Sequence, residues 1–220
     1  MSQSKLYYRL INVIGIDGSG KTKLCNALLH ELQKRYPATK YVHSYHEPFI
    51  LKPLKFIARA IFMRGTNEFV DYPHYRDVKV STSRRHKHLS SIYGFVWILD
   101  YALQAMIRVG IQRLLGRRLI IDRYVFDTVL NASLTANWTQ DITHMLVRTL
   151  LIVLPRPNVV FLIDLPEVVA FERKKDIQSV EYLKERRRLY LELADRYGFI
   201  KLNGRDEPHA VLAQAIRGLA

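Results

Sequence analysis

Gly15-Ile16-Asp17-Gly18-Ser19-Gly20-Lys21-Thr22 is the stretch whose reading decides the fold. Its spacing is G-x-x-x-x-G-K-[ST], that of a phosphate-binding loop. Glycines let successive backbone N–H groups converge on phosphate oxygens, in conformations a side chain would block. Lys21 then reaches the outer phosphates, and the Thr22 hydroxyl reaches a divalent cation. The flanks agree. Leu10 to Ile14 reads as a buried parallel strand. Leu24, Ala27, Leu28 and Leu32 recur at helical spacing, so a helix begins near Lys21 and offers its N-terminus to the anion. A Gly-rich turn that binds nothing is the alternative.

Working outward, 220 residues of which 49% are hydrophobic suffice for one α/β core. The expectation is a single domain over 1–220. One cysteine, Cys25, excludes a disulfide framework and suits a reducing compartment. No signal peptide is expected, because Lys5 and Arg9 interrupt the first apolar run. No membrane span is expected either: Met145 to Leu154 is apolar, but it contains Arg148 and stops at Pro155. The expected location is the cytoplasm. A formal net charge of +14 suits nucleic acid, an anionic surface or a polyanionic small substrate such as ATP. The cations are scattered, at Arg84-Arg85-His86-Lys87, Arg117-Arg118, Arg173-Lys174-Lys175 and Arg186-Arg187-Arg188, without interleaved stacking aromatics. That argues against nucleic acid as the partner.

Along the chain, Tyr41 to Tyr45 reads as a second strand, delivering His46-Glu47-Pro48 to the crevice beyond it. Leu51 to Met63 has helical periodicity, and the polar stretch 65–88 reads as a mobile insertion. A long apolar helix from Leu89 to about Leu115 carries Asp100, whose charge must be paired or functional, flanked by Trp97 and Tyr101. Arg118 to Asp122 is a third strand ending in a carboxylate, followed by Arg123 and Tyr124. Asn158 to Asp164 is a fourth with the same form. Asp122 and Asp164 compete for the metal shell, though Asp164, before Leu165-Pro166-Glu167, reads mainly as a helix cap. Pro166 to Tyr197 is helical but broken near Asp176 to Ser179, which gives a short cationic lid over about 172–188. Gly198 to Leu202 is a last strand, Asn203-Gly204 the loop behind it, and Glu207 to Leu219 the closing helix. The fold class expected is α/β, a P-loop NTPase fold with a parallel sheet of about five strands flanked by helices.

These pieces resemble the thymidylate kinase family of P-loop nucleoside monophosphate kinases. The matching segments are Gly15 to Thr22, Glu47-Pro48, Asp122-Arg123-Tyr124, Asp164 to Ala170 with Arg173, and Tyr190 to Ala194. The resemblance implies ATP- and Mg²⁺-dependent phosphoryl transfer to a small-molecule acceptor. Gly15, Asp17, Gly18, Ser19, Gly20, Lys21, Thr22 and Asn203 would bind the nucleotide, and Thr22 and Asp122 the Mg²⁺. Lys21, Asp122, Arg123 and Arg173 would be catalytic. Asp17, Glu47, Trp97, Asp100, Tyr101 and Tyr124 would face the acceptor. Gly18 stands where one branch of the family carries a loop arginine; in the other branch the lid supplies it, which points here to Arg173 or a lid neighbour. A homodimer is compatible with the pattern.

Three departures stand out. Tyr101 occupies the position of the family's acceptor-phosphate arginine, the lid is short, and His46-Glu47-Pro48 lacks the usual preceding arginine and following Gly-Gly. They leave room for an acceptor other than dTMP, such as a sugar or nucleoside, with Arg84 or Arg85 as replacement clamps. A non-enzymatic ATP-binding or basic nucleic-acid-binding protein is the remaining alternative.

Overall fold

A computed structural model describes residues 8–44, 85, 87–174 and 176–219. These residues form a five-stranded sheet in the order β2-β3-β1-β4-β5, with every neighbouring pair parallel. The strands are β1 (Leu10–Ile14), β2 (Lys40–His43), β3 (Leu119–Asp122), β4 (Val159–Asp164) and β5 (Ile200–Asn203). Helix α1 (Lys21–Arg35) follows β1. The long apolar helix is α2 (Lys87–Ala105), continued by a π-helical turn (Met106–Gly110) and by α3 (Ile111–Leu114). Then come α4 (Val125–Ala136), α5 (Gln140–Val153), α6 (Glu167–Arg173), α7 (Val180–Tyr197) and α8 (Pro208–Arg217).

Parallel strands covered on both faces must be apolar on both, and β1 and β3 are buried throughout. On one face Leu10, Ile14 and Leu162 pack with Tyr101, Val109, Phe126 and Leu183. On the other, Ile11, Val13, Ile120 and Phe161 meet Leu24 and Leu28 of α1 and Val211 and Ala215 of α8. The sheet order reverses around β1. The crevice at the carboxyl ends of β1 and β3 is therefore the ligand position of an open α/β sheet.

Several boundaries differ from the sequence reading. The last strand begins at Ile200, because Gly198 closes α7 in a left-handed conformation at φ 68°. Helices α4 and α5 were not anticipated. Their separator is Asn137, left-handed at φ 53°, followed by Thr139, whose hydroxyl caps α5 by accepting from Ile142 N at 3.5 Å. Among the described residues, one helix is long and apolar enough to cross a membrane, by length and composition only. Ser90–Leu114 has the length and mean hydropathy, 1.3, to do so. Its inner face is nonetheless core, with Ile98, Tyr101, Ala105 and Val109 all buried. The helix expected over Leu51 to Met63 lies outside the described residues, as does the insertion over 65–88 apart from the residues that begin α2.

Candidate active site

The loop between β1 and α1 closes through Ser19 N, which donates to Ile16 O at 3.2 Å. Gly20 is the N-cap, left-handed at φ 94° with no side chain capping the helix. The first-turn N–H groups of α1 have no intrahelical acceptors and stay available to an anion. Gly18, at φ 84°, lies directly under α6: a Cβ there would meet Ala170 O at 2.4 Å. No side chain fits at that position without moving α6. Lys21 is buried and folds back over the loop, its Nζ donating to Ile16 O at 2.7 Å and standing 4.0 Å from Asp17 Oδ1. Burial and then the Arg123 charge push its pKa down, while Asp17, Asp127 and Asp122 pull it back up.

Register places Asp122 beside Val13, at the mouth of this loop. Its Oδ2 accepts from Thr22 Oγ1 at 2.6 Å and from the Tyr41 hydroxyl at 3.2 Å, with His43 Nδ1 at 3.6 Å. Its Oδ1 is buried with no hydrogen-bond partner, as is Ser19 Oγ in the loop. A buried carboxylate oxygen left open beside a threonine hydroxyl is an all-oxygen donor set that fits a hard cation. Among the described residues no three His, Cys, Asp or Glu gather as a self-sufficient metal cage. Thr22 and Asp122 fit Mg²⁺, which takes one or two protein ligands and completes its shell with phosphates and water.

Arg123 follows in a left-handed conformation at φ 63°, its backbone N donating to Val13 O at 3.2 Å. Its guanidinium donates to Asp17 Oδ1 in a charge-assisted bond. Burial opposes its charge, but Asp17, Asp127 and the Tyr190 hydroxyl more than offset that and raise its pKa. Burial likewise works to neutralise Asp17, and Arg123, Lys21 and Lys174 outweigh it, so its pKa is lowered. Asp17 is held ionised between two cations.

No protein-family model matches the chain. Two curated relatives do. Probable thymidylate kinase 1 of Saccharolobus solfataricus is 27% identical over 216 residues, covering 95% of each chain. The probable thymidylate kinase of Sulfurisphaera tokodaii is 26% identical over 204 residues, covering 89% of this chain and 87% of its own. The crystal structure of thymidylate kinase from Ehrlichia chaffeensis superposes with a TM-score of 0.57 over 96% of this chain and 98% of that one, at 16% identity. The chain is thymidylate kinase-like. Its fold is that of a P-loop NTPase, an α/β parallel sheet flanked by helices.

At the carboxyl ends of β1 and β3, Asp17, Lys21, Thr22, Asp122 and Arg123 come together as one cluster. The remaining expected residues lie further out. Arg173 ends α6 with Nη1 donating to Gly204 O at 3.1 Å, beside Asn203. Asn203 ends β5, exposed, its Nδ2 donating to Asp206 Oδ1 at 2.8 Å. Lys174, the residue that closes α6, adds its charge at Asp17. Asp164 is not the cap of α6, which is Pro166. Its carboxylate instead takes a fork from Arg187 of α7, at 2.7 and 3.2 Å, and Arg187 also reaches Glu167 Oε2 at 3.1 Å.

On the acceptor side, Tyr101 is only 1% exposed, its hydroxyl sharing a hydrogen bond with Ser44 Oγ at 3.2 Å. Tyr124 is fully buried, and its hydroxyl donates to Pro155 O at 3.2 Å. Both rings are enclosed among core residues. Asp100 is buried and accepts from Gln104 Nε2 at 3.2 Å, and Trp97 packs edge-on against Tyr93. Glu47 lies outside the described residues. Sequence reasoning missed Tyr41, Asp127 and Tyr190. The one signal for Asp127 was an acid inside the apolar run Val125 to Leu130.

Proposed function

We propose that this chain transfers the terminal phosphoryl group of ATP, in the presence of Mg²⁺, to a nucleotide or related small-molecule acceptor. The observation that carries the reading is the gathering of Lys21, Asp17, Arg123, Thr22 and Asp122 at the carboxyl ends of β1 and β3. Phosphoryl transfer asks a protein mainly for alignment and charge neutralisation, and this cluster offers both. The loop N–H groups and Lys21 hold the donor phosphates. Thr22 and Asp122 would hold Mg²⁺, which when bound spreads the charge of the phosphate oxygens. Arg123 reaches toward both donor and acceptor phosphates, and Asp17 keeps it oriented and can accept from an acceptor hydroxyl. The contact of Gly18 with Ala170 leaves the loop no room for an arginine, so lid cations, Lys174 and Arg173, supply the further positive charge. A single buried cysteine suits the cytoplasm as the setting.

A second reading concerns the acceptor. Tyr101, where the resemblance places a phosphate-binding arginine, is enclosed and bonded to Ser44. That favours an acceptor other than dTMP, a sugar or nucleoside hydroxyl, with Glu47, Trp97 and Asp100 as the proposed acceptor-side residues. Of the two replacement clamps, Arg84 lies outside the described residues, while Arg85 is exposed ahead of α2. A screen of nucleosides, nucleoside monophosphates and sugars with ATP and Mg²⁺ decides between the readings. Brisk turnover of dTMP alone removes the second. ATP binding without turnover of any acceptor removes both.

A further inference from the structure

Tyr41 brings more than a ring to the edge of the sheet. In β2 it pairs with Ile120 of β3, and His43, two residues on, pairs with Asp122. Side chains two residues apart share a sheet face. Tyr41 therefore lies diagonally across from Asp122 on the face that α1 covers, within reach of an aromatic side chain. Its ring packs against the core cluster that holds Ile120, Cys25 and Leu28. A phenylalanine would fill that place equally well. What the tyrosine adds is a hydroxyl, and the hydroxyl donates to Asp122 Oδ2 at 3.2 Å. Thr22 Oγ1 donates to the same oxygen at 2.6 Å. His43 Nδ1 stands 3.4 Å from the phenol oxygen and 3.6 Å from Oδ2, the latter too long for a hydrogen bond. A phenol has one proton, and an anionic oxygen accepts it more strongly than a neutral imidazole nitrogen. The two carboxylate oxygens are thus unlike. Oδ2 takes donors from α1 and β2, while Oδ1 is buried with no hydrogen-bond partner among the described residues.

We propose that Tyr41 is a positioning residue of the cation site: its hydroxyl holds Asp122 by one oxygen and leaves the other to the cation. The inference rests on the Mg²⁺-dependent reading above. Thr22 alone is not enough for this task. A single bond leaves a carboxylate free to turn about its Cβ–Cγ bond, where the torsional wells are broad. A second donor, arriving from a different element, removes that freedom. Tyr41 acts only through Asp122. Outer partners that orient a ligating carboxylate carry roughly 10- to 100-fold in metal affinity.

The test uses the full chain with Tyr41→Phe, which keeps the ring and removes only the hydroxyl. Mn²⁺ is the probe, because it takes the same oxygen ligands as Mg²⁺ and is visible by electron paramagnetic resonance. It is titrated into the protein–ADP complex, and ADP binding without metal is measured by calorimetry. Tyr41→Phe should raise the Mn²⁺ dissociation constant roughly 10-fold or more, with metal-free ADP affinity within about two-fold of wild type. In turnover, the Mg²⁺ concentration giving half the maximal rate should rise likewise, with kcat regained at saturating Mg²⁺. His43→Ala, which keeps the Tyr41 bond, should hold Mn²⁺ affinity within about two-fold of wild type. Unchanged Mn²⁺ affinity in Tyr41→Phe overturns the inference, as does an equal loss of metal-free ADP binding, or a loss in His43→Ala matching that of Tyr41→Phe. If the wild-type complex binds no Mn²⁺, the metal-dependent reading fails and takes the inference with it. If it binds Mn²⁺ but turns over no acceptor, only the transfer reading fails, and the affinity comparison still decides the inference.

Discussion

Replacing Gly18 by alanine tests the contact between the phosphate loop and α6. Two costs arise. At φ 84° an L-residue is strained by roughly 1–2 kcal/mol. The new Cβ would also lie 2.4 Å from Ala170 O, a backbone atom that cannot rotate away, so α6 must shift by about an ångström. Overpacking of that kind costs roughly 1–3 kcal/mol. The expected total is about 2–5 kcal/mol, or roughly 4–20 °C in Tm for a domain of this size. Gly20→Ala is the internal control. It has φ 94° but nothing within 4 Å of its Cβ position, so it should cost only the conformational part. Urea unfolding of the two variants and wild type, with ATP titration of each, gives the comparison. Equal unfolding midpoints for Gly18→Ala and Gly20→Ala would refute the contact. With it would go the argument that the lid, and not the loop, carries the further cation.

Three other outcomes follow from the geometry. Arg187→Leu removes a fork to Asp164 and a bond to Glu167; with the partners part-exposed and screened, the stability loss should be about 1 kcal/mol, and a loss above roughly 3 kcal/mol in urea unfolding would mean the clamp is buried. Tyr101→Phe should cost about 1 kcal/mol through the Ser44 bond and leave acceptor KM unchanged; a KM shift of ten-fold or more would place Tyr101 against the acceptor. Burial raises the Asp127 pKa above its usual 3.8, while Arg123, Tyr190 and Lys21 pull it down and Asp122 pushes it up. Between pH 4 and the raised value the native state keeps a proton that the unfolded chain has released. This group's contribution is therefore full in acid and falls as pH rises. Asp127→Asn should lose that downward component of stability above pH 4, and a variant whose stability falls more steeply than wild type would contradict the sign.

Much of the site was legible because the phosphate loop is local. Gly15 to Thr22 must adopt one path whatever surrounds it, and Asp122 ends an apolar strand whose register carries it to the loop. Arg123 could be named for the same reason, as the residue after that strand. What the sequence hid are contacts between elements far apart in the chain. Tyr190 meets Asp127 across 63 residues and Tyr41 meets Asp122 across 81, and no periodicity encodes either meeting. Asp164 was misread for a related reason. A carboxylate before Leu-Pro-Glu looks like a cap, yet Arg187 from the next helix claims it. Tyr101 and Tyr124 were read as ligand-facing because tyrosine is ambiguous in sequence: an amphipathic ring suits core and pocket equally, and only the enclosing helices decide. Helices α4 and α5 escaped notice because their separator is a left-handed asparagine without a glycine or proline.

The central claim is that Asp17, Lys21, Thr22, Asp122 and Arg123 act together in transfer from ATP. The most direct measurement is acceptor-dependent ADP release by wild type, Lys21→Ala and Arg123→Ala, using the best acceptor from the screen. Release should require the acceptor and Mg²⁺, fall to background in Lys21→Ala, and fall by roughly 10³-fold or more in Arg123→Ala. Acceptor-independent release, or salt-dependent binding to DNA that Lys21→Ala leaves intact with no transfer at all, would contradict it.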